Sequence, residues 1–133
     1  MSYNPNDKAA PDFKWSEFAC KCGCGFGLKP GDVDPKLIAG VQLLRTILQV
    51  PVHINSGCRC QQHNLKEGGV IGSQHLLGKA ADCRVGTSSP RTVARIAEVA
   101  ETIPQFKGGG IIQYPSRGFC HLDVRSHPYR ETK

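Results

Sequence analysis

Long apolar runs are absent from this sequence. No stretch approaches the roughly 18 apolar residues that a membrane-spanning helix needs. Residues 1–12 are polar and lack the apolar segment of a secretory signal. We therefore expect no membrane span, and a chain that is made in the cytoplasm and leaves it, if at all, by a route other than signal-directed export.

Clusters of basic residues are absent as well. The chain has 17 Lys and Arg against 11 Asp and Glu, a formal net charge of +6, but its basic residues are scattered. Scattered cations argue against a dedicated nucleic-acid surface, and we expect no nucleic-acid partner. The net charge suits an anionic partner such as a cell-wall polymer, with a simple solvated basic surface as the alternative.

The remaining composition is that of an ordinary globular domain. With 133 residues, of which 39% are hydrophobic and 21% charged, the chain can bury a core of its own. No repeat or linker divides it, so we expect one α+β domain over residues 13–125. A loose N-terminal arm over residues 1–12 and a loose polar tail over residues 126–133 complete the expected organisation.

Two helices and four short strands are predicted within the domain. Asp34-Pro35 is a capped helix start, and apolar residues recur at helical spacing from there to Gln49. Ser89-Pro90 begins a second helix. Residues 56–79 are predicted to be mostly loop, and a loop of this length in a compact domain is usually functional or mobile. The predicted strands are 50–54, 80–85, 111–114 and 119–124.

Two histidines and an aspartate form a candidate metal site. His75 and Asp82 lie on either side of Gly78, and His121 follows far downstream. Two imidazoles and a carboxylate are a common zinc ligand set that leaves a fourth position open for water, whose pKa the metal lowers to about 7. Asp123 lies two residues beyond His121 on the same face of the predicted strand, and so could lie beside the metal as well.

Cysteine is the residue type in excess. There are seven cysteines, and an odd number in a chain without a recognisable secretory signal peptide argues against a complete disulfide framework. Three interpretations stay open: buried free thiols, a disulfide that joins one of the cysteines 20, 22 and 24 to Cys58 or Cys60, or a second, structural zinc. The last would draw on Cys20, Cys22, Cys24, Cys58 and Cys60. Cys83 and Cys120 each adjoin a candidate ligand on a strand, so they should face away from the metal into the core.

The pattern as a whole resembles a known family. Ser73-x-His75-x-x-Gly78-x-Ala80-x-Asp82, followed by His121-x-Asp123, closely resembles the zinc D,D-peptidases of bacterial cell walls. That family includes D-alanyl-D-alanine carboxypeptidases, the D-Ala-D-Ala dipeptidases of vancomycin resistance and phage endolysins. Upstream, Ser56-Gly57-Cys58-Arg59 looks like the family's Ser-Gly-x-Arg segment. The resemblance covers about residues 13–125 and implies the fold shared with hedgehog domains, a small antiparallel sheet with helices packed on one side.

The resemblance also implies roles for individual residues. His75, Asp82 and His121 would be the zinc ligands. Arg59 would bind substrate or stabilise the developing oxyanion, because a guanidinium stays charged and offers forked donors. Ser73 would hydrogen-bond the substrate or, as the alternative, stabilise its own turn.

One position departs from the family pattern. Gly118 stands three residues before the last ligand, where the dipeptidase branch has a Glu that serves as general base. That role therefore cannot be transferred to position 118. Asp123 is the nearest available carboxylate, and we expect it either to be the base or to orient a ligand.

We therefore predict a zinc-dependent peptidase that hydrolyses peptide bonds in peptidoglycan stem peptides, as a D,D-carboxypeptidase or an endopeptidase. The alternative is a zinc-containing cell-wall binding or structural module without catalysis, and Gly118 is the residue that keeps it open. We expect a monomer that acts on the cell wall after holin-type release or as a phage component.

Overall fold

The computed structural model describes all residues, 1–133. Its elements belong to the α+β class. The strands are β1 (Lys8–Ala10), β2 (Phe13–Lys14), β3 (Val52–Ser56), β4 (Ala80–Val85), β5 (Gly110–Tyr114), β6 (Phe119–Asp123) and β7 (Tyr129–Thr132). The helices are α1 (Trp15–Phe18), α2 (Pro35–Leu48), α3 (Gln61–Lys66), α4 (Pro90–Ala100) and α5 (Pro104–Lys107), with 3₁₀ turns at Gln74–Leu77 and Pro115–Arg117.

Five strands form the central sheet, in the order β3-β4-β6-β5-β7. The first four pair antiparallel, and β7 adds to the edge parallel to β5. β1 and β2 form a separate two-stranded ribbon. Helix α4 packs on β4, β5 and β6, and α2 packs on α4 and α5. The predicted α+β fold, a small antiparallel sheet with packed helices, is confirmed.

The two faces of the sheet differ because side chains alternate along each strand. Cys83 on β4, and Cys120 and Leu122 on β6, belong to the hydrophobic core. The prediction that both cysteines face the core is confirmed. Asp82 and His121 lie between these core positions, so their side chains leave the opposite face, where a polar site can form.

The two long helices begin where their capping residues predict. Asp34 Oδ1 accepts a hydrogen bond from the Lys36 amide at 2.9 Å, and a proline occupies the first turn of α2. The Ser89 hydroxyl accepts from the Thr92 amide at 3.2 Å at the start of α4. None of the helices combines the length and the apolar character that crossing a bilayer would require.

Both ends of the chain carry regular structure where we expected loose segments. Lys8–Ala10 pairs with β2, and the ring of Tyr3 stacks on Trp15 with their centroids 4.0 Å apart. Tyr129–Thr132 pairs with β5. Residues of both the expected arm, 1–12, and the expected tail, 126–133, therefore take part in strand pairing. They are held by backbone pairing and aromatic stacking. Neither interaction requires a periodic pattern of apolar residues, so the sequence gives no sign of it.

The segment 56–79 contains more regular structure than predicted. It holds α3, whose first turn has the Cys60 sulfur accepting from the His63 amide at 3.4 Å. It also holds a 3₁₀ turn, capped by the Ser73 hydroxyl, which accepts from the His75 amide at 3.3 Å. These elements are too short to show a hydrophobic repeat. Strand β3 also starts and ends two residues later than predicted.

Gly78 controls how the 3₁₀ turn enters β4. Its φ of +68° lies in the left-handed region, which favours glycine. A Cβ at this position would collide with the backbone carbonyl of Asp32. The Gly78 carbonyl also accepts from the Asp34 amide at 2.9 Å, which ties the turn to the start of α2.

We expect Gly78→Ala to lower the free energy of unfolding by at least about 2 kcal/mol. A non-glycine residue in a sparsely populated backbone region costs about 1–3 kcal/mol, and the collision adds to this. Urea denaturation of the reduced protein measures the loss. Gly72→Ala is the control, because Gly72 has a φ of +77° but a Cβ added there would meet no atom within 4 Å. Equal losses in the two variants would contradict the steric explanation.

Candidate functional site

The candidate metal ligands come from two strands and one turn. Asp82 and His121 are direct partners across β4 and β6, so their side chains leave the sheet side by side. His75 comes from the 3₁₀ turn that precedes β4. All three side chains are buried, and the fold brings together the three residues that the sequence singled out.

Their donor atoms converge on one point. His75 Nε2 and His121 Nδ1 each lie 3.2 Å from Asp82 Oδ1, and the three atoms lie within 4.8 Å of one another. Ligands about 2.0–2.1 Å from a tetrahedral zinc are about 3.3 Å apart. The spacing therefore suits a single ion, and the ligand types are ones that zinc prefers.

A second hydrogen bond on each histidine selects the nitrogen that faces the metal position. His75 Nδ1 donates to the Gly57 carbonyl at 2.6 Å, and His121 Nε2 donates to Asp123 Oδ2 at 2.7 Å. Carbonyl and ionised carboxylate oxygens only accept, so these nitrogens carry protons. The other nitrogen of each neutral ring then keeps its lone pair for a metal. Such outer partners commonly orient metal-binding histidines.

Arg59 holds the other oxygen of Asp82. Its Nη2 donates to Asp82 Oδ2 at 3.0 Å, its Nε to Ser56 Oγ at 2.8 Å, and its Nη1 to Asn64 Oδ1 at 3.2 Å. Asn64 is itself buried and donates to the Val70 carbonyl, so the guanidinium rests on a fixed partner. Asp82 is thereby oriented with Oδ1 towards the two histidines.

The buried groups change one another's ionisation. Burial alone would raise the pKa of Asp82, but hydrogen bonds to His121 and His75 outweigh it and hold that pKa well below its ordinary value. Burial alone would lower the pKa of His121, but its bonds to Asp123 and Asp82 raise it. The pKa of Asp123 is lowered by His121 and Arg125, against the effect of burial. Both carboxylates are therefore ionised at neutral pH and suited to a cation.

Asp123 lies behind His121, on the side away from the other two ligands. Its side chain is fully buried. The carboxylate accepts from the Gly110 amide at 2.8 Å and from Arg125 Nη2 at 2.6 Å. A Cβ at Gly110 would collide with this carboxylate, so the glycine provides the space for it. Since its oxygens are engaged by His121 and Arg125, the geometry favours orienting over proton transfer.

The ligand residues open onto a cavity of about 360 Å³. Ser73 lies in its wall, as does Glu67 from the end of α3. Glu67 and Asp82 are the two carboxylate residues of the lining, against four cationic ones. The cationic residues are Arg59, Arg117, Arg125 and Lys133. This excess of positive charge suits an anionic ligand.

A family model described as Peptidase M15 matches residues 11–123 of the chain. The chain belongs to this family. Its members are zinc D,D-peptidases, so the family suspected from the sequence, the metallopeptidase class and the use of zinc are confirmed. Among curated proteins there is no match.

Several residues that complete this M15 site were missed in the sequence. Arg125 continues the alternation of His121 and Asp123 by two further residues, and that spacing could have identified it. Glu67 gives no such signal, because its place at the cavity depends on how α3 packs. The Gly57 contribution is a backbone carbonyl, which no side-chain motif reveals.

We expect the zinc-free M15 domain to be most stable between about pH 4 and 6.5, the ordinary pKa values of Asp and His. The lowered pKa values of Asp82 and Asp123 contribute stability above about pH 4 that is lost as the pH falls towards their folded pKa values. The raised pKa of His121 contributes stability below about pH 6.5 that is lost as the pH rises through its folded pKa. Urea denaturation with chelator and reductant, from acid to mildly alkaline pH, measures both limbs.

The control for this pH profile is Asp123→Asn. It removes one carboxylate with a lowered pKa, and the same carboxylate makes the hydrogen bond that contributes most to raising the pKa of His121. Both limbs of the profile should become shallower in the variant. A stability that rises without a break from acid to alkaline pH in the unmodified protein would contradict the assignment.

Proposed function

We propose that this zinc metallopeptidase hydrolyses peptide bonds in peptidoglycan stem peptides, as a D,D-carboxypeptidase or an endopeptidase, with His75, Asp82 and His121 as its metal ligands. The observation that carries the proposal is the convergence of His75 Nε2, Asp82 Oδ1 and His121 Nδ1 on one point at the cavity. Each ligand has a separate outer partner, which is the arrangement of a preformed metal site.

The cavity supports a substrate that carries carboxylates. Stem peptides are anionic, and the cavity beside the ligands is lined by Arg59, Arg117, Arg125 and Lys133. A net charge of +6 adds a general attraction to the anionic wall polymer. On this basis we place its action at the cell wall, in the manner of an endolysin.

Arg59 is the residue we assign to substrate binding and to the developing negative charge. Its side chain is 12% exposed, and its three bonds to Ser56, Asn64 and Asp82 leave other N–H donors of the guanidinium unused. Zinc in such a site supplies Lewis-acid polarisation of a carbonyl and a water of lowered pKa. Arg59 donors next to the same position would strengthen as charge builds on the carbonyl oxygen. Ser73 is the further substrate contact that we propose in the cavity wall.

Glu67 is the carboxylate we assign to proton transfer. Asp123 is fully buried and does not line the cavity, so we give it the orienting role on His121. Glu67 lines the cavity with a side chain 51% exposed, and its partner is His63 Nε2 at 3.6 Å. A half-exposed carboxylate on a neighbouring segment can accept a proton from water and pass it to the leaving amine.

A binding module without catalysis is the second candidate. The observation in its favour is Gly118, which has a φ of +76° and no side chain where a family base is expected. This candidate shares the metal ligands and the cationic cavity, so only turnover separates it from a peptidase.

Zinc-loaded protein should release peptides or amino acids from purified peptidoglycan fragments, and mass spectrometry of the products identifies the bond cleaved. His75→Ala should abolish release. Arg59→Lys keeps the charge but loses the forked donors, and it should lower kcat/KM by about 10–100-fold. Arg95→Lys, on the exposed face of α4, is the matched control and should leave kcat/KM unchanged. Binding of fragments without cleavage, at full zinc occupancy, would support the module instead.

Glu67→Gln and Asp123→Asn should fail in different ways. Glu67→Gln should lower kcat by about 10²–10⁴-fold, the usual contribution of a positioned general base, at unchanged zinc affinity. Asp123→Asn should lower zinc affinity by about 10–100-fold, as loss of an outer hydrogen bond does, and recover most of kcat at saturating zinc. Competition with a chromogenic chelator measures the affinity. If Asp123→Asn instead lowered kcat at unchanged zinc affinity while Glu67→Gln did not, Asp123 would be the general base.

A further inference from the structure

Four cysteines form a second cluster on the surface, separate from the site described above. Cys20, Cys22 and Cys24 come from the loop after α1, and Cys60 directly precedes α3. Their four sulfurs all lie within 4.8 Å of one another. Cys22 and Cys24 are exposed, so burial in a hydrophobic core does not explain why these thiols lie together.

The sulfur spacing is that of a tetrahedral thiolate site. Cys22 Sγ lies 3.4 Å from Cys20 Sγ and 3.6 Å from Cys60 Sγ. Four thiolates about 2.3 Å from one zinc ion are about 3.8 Å apart. A disulfide would place two of these sulfurs about 2.05 Å apart, and all seven cysteines are free.

The loop is shaped so that alternate residues present their sulfurs to the same point. Gly23, between two of the cysteines, has a φ of +84°, and its amide donates to the Cys20 carbonyl at 3.2 Å. Gly25 has a φ of +92°, and the Cys20 amide donates to the Phe26 carbonyl at 2.8 Å. Glycine is the residue that adopts such backbone angles without strain. The turn therefore reverses the chain within the cysteine segment itself.

Two backbone amides point at the sulfurs. The Cys60 amide donates to Cys20 Sγ, and the His63 amide donates to Cys60 Sγ, each at 3.4 Å. Amide donors of this kind favour the thiolate over the thiol and orient it as an outer partner orients a metal ligand.

Cys58 does not belong to this cluster. It is 2% exposed, it lies within the hydrophobic core, and its sulfur faces the Asp32 carbonyl at 3.9 Å. The set of five cysteines considered from the sequence is therefore reduced to four, which matches the number of ligands in a closed zinc site.

We propose that Cys20, Cys22, Cys24 and Cys60 bind a structural zinc ion that fastens the loop 20–24 to the segment before α3. Four thiolates leave no open coordination position, so this ion has no part in hydrolysis. Its effect on the active site is indirect, because Cys60 adjoins Arg59, whose guanidinium holds Asp82. The Cys58 amide also donates to the Phe18 carbonyl at 2.8 Å, which joins the same two segments.

The test is the zinc content of purified protein by elemental analysis. The unmodified chain should hold two zinc ions. His75→Ala should keep one, and the double variant Cys22→Ser/Cys24→Ser, which changes two exposed side chains, should lose one and keep the other. Cobalt loaded into His75→Ala should show sulfur-to-metal charge-transfer bands in the near ultraviolet, since its remaining site is all thiolate. Cys58→Ala is the control and should retain two zinc ions.

One zinc ion in the unmodified chain, bound only while His75 is present, would overturn the proposal. So would iron in place of zinc at the cysteines, or a disulfide among the four found by mass spectrometry of protein purified under reducing conditions. Because His75→Ala removes the catalytic site and leaves the cysteines intact, these outcomes do not depend on whether the chain cleaves peptidoglycan.

Discussion

The pairing of Asp82 with His121 across two central strands is the constraint on which the site depends. A buried carboxylate needs compensating partners, and Asp82 has them on both oxygens, from Arg59 on one side and the two histidines on the other. The sheet supplies this arrangement through register alone, since Asp82 and His121 occupy opposed positions. A slip of one strand by one residue would turn its member of the pair into the core and separate the two side chains.

Two of the metal ligands, Asp82 and His121, belong to a row of hydrogen-bonded residues of alternating charge. Arg125, Asp123, His121, Asp82 and Arg59 follow one another through short hydrogen bonds. In the absence of metal, Asp123 and Asp82 favour the protonated form of His121 and so raise its pKa. A dication that takes the place of a proton on His121 adds further positive charge to the row. The added charge favours an anionic partner in the cavity, which is lined by every member of the row except Asp123.

The sequence was informative wherever a local rule decides the structure. Strand alternation placed Asp82 and His121 on one face and Cys83 and Cys120 on the other, and capping residues marked where α2 and α4 begin. It was uninformative where pairing is non-local, as for the strand at Tyr129–Thr132, whose side chains are mostly exposed. The role of Asp123 was likewise not predictable. Strand alternation places it on the same face as His121, but it does not show that its carboxylate binds the nitrogen that faces away from the metal position.

The segment 57–60 leaves the sheet directly after β3 and serves both metal clusters. Within four consecutive residues, the Gly57 carbonyl orients His75, Arg59 orients Asp82, and Cys60 joins the cysteine cluster. This segment does not continue the strand, because its backbone groups bind the 3₁₀ turn, α1 and the cysteine loop instead. It must be held rigid by something outside the sheet. A metal at the four cysteines is a compact way of doing so, since a closed thiolate site can anchor a loop that buries few apolar side chains.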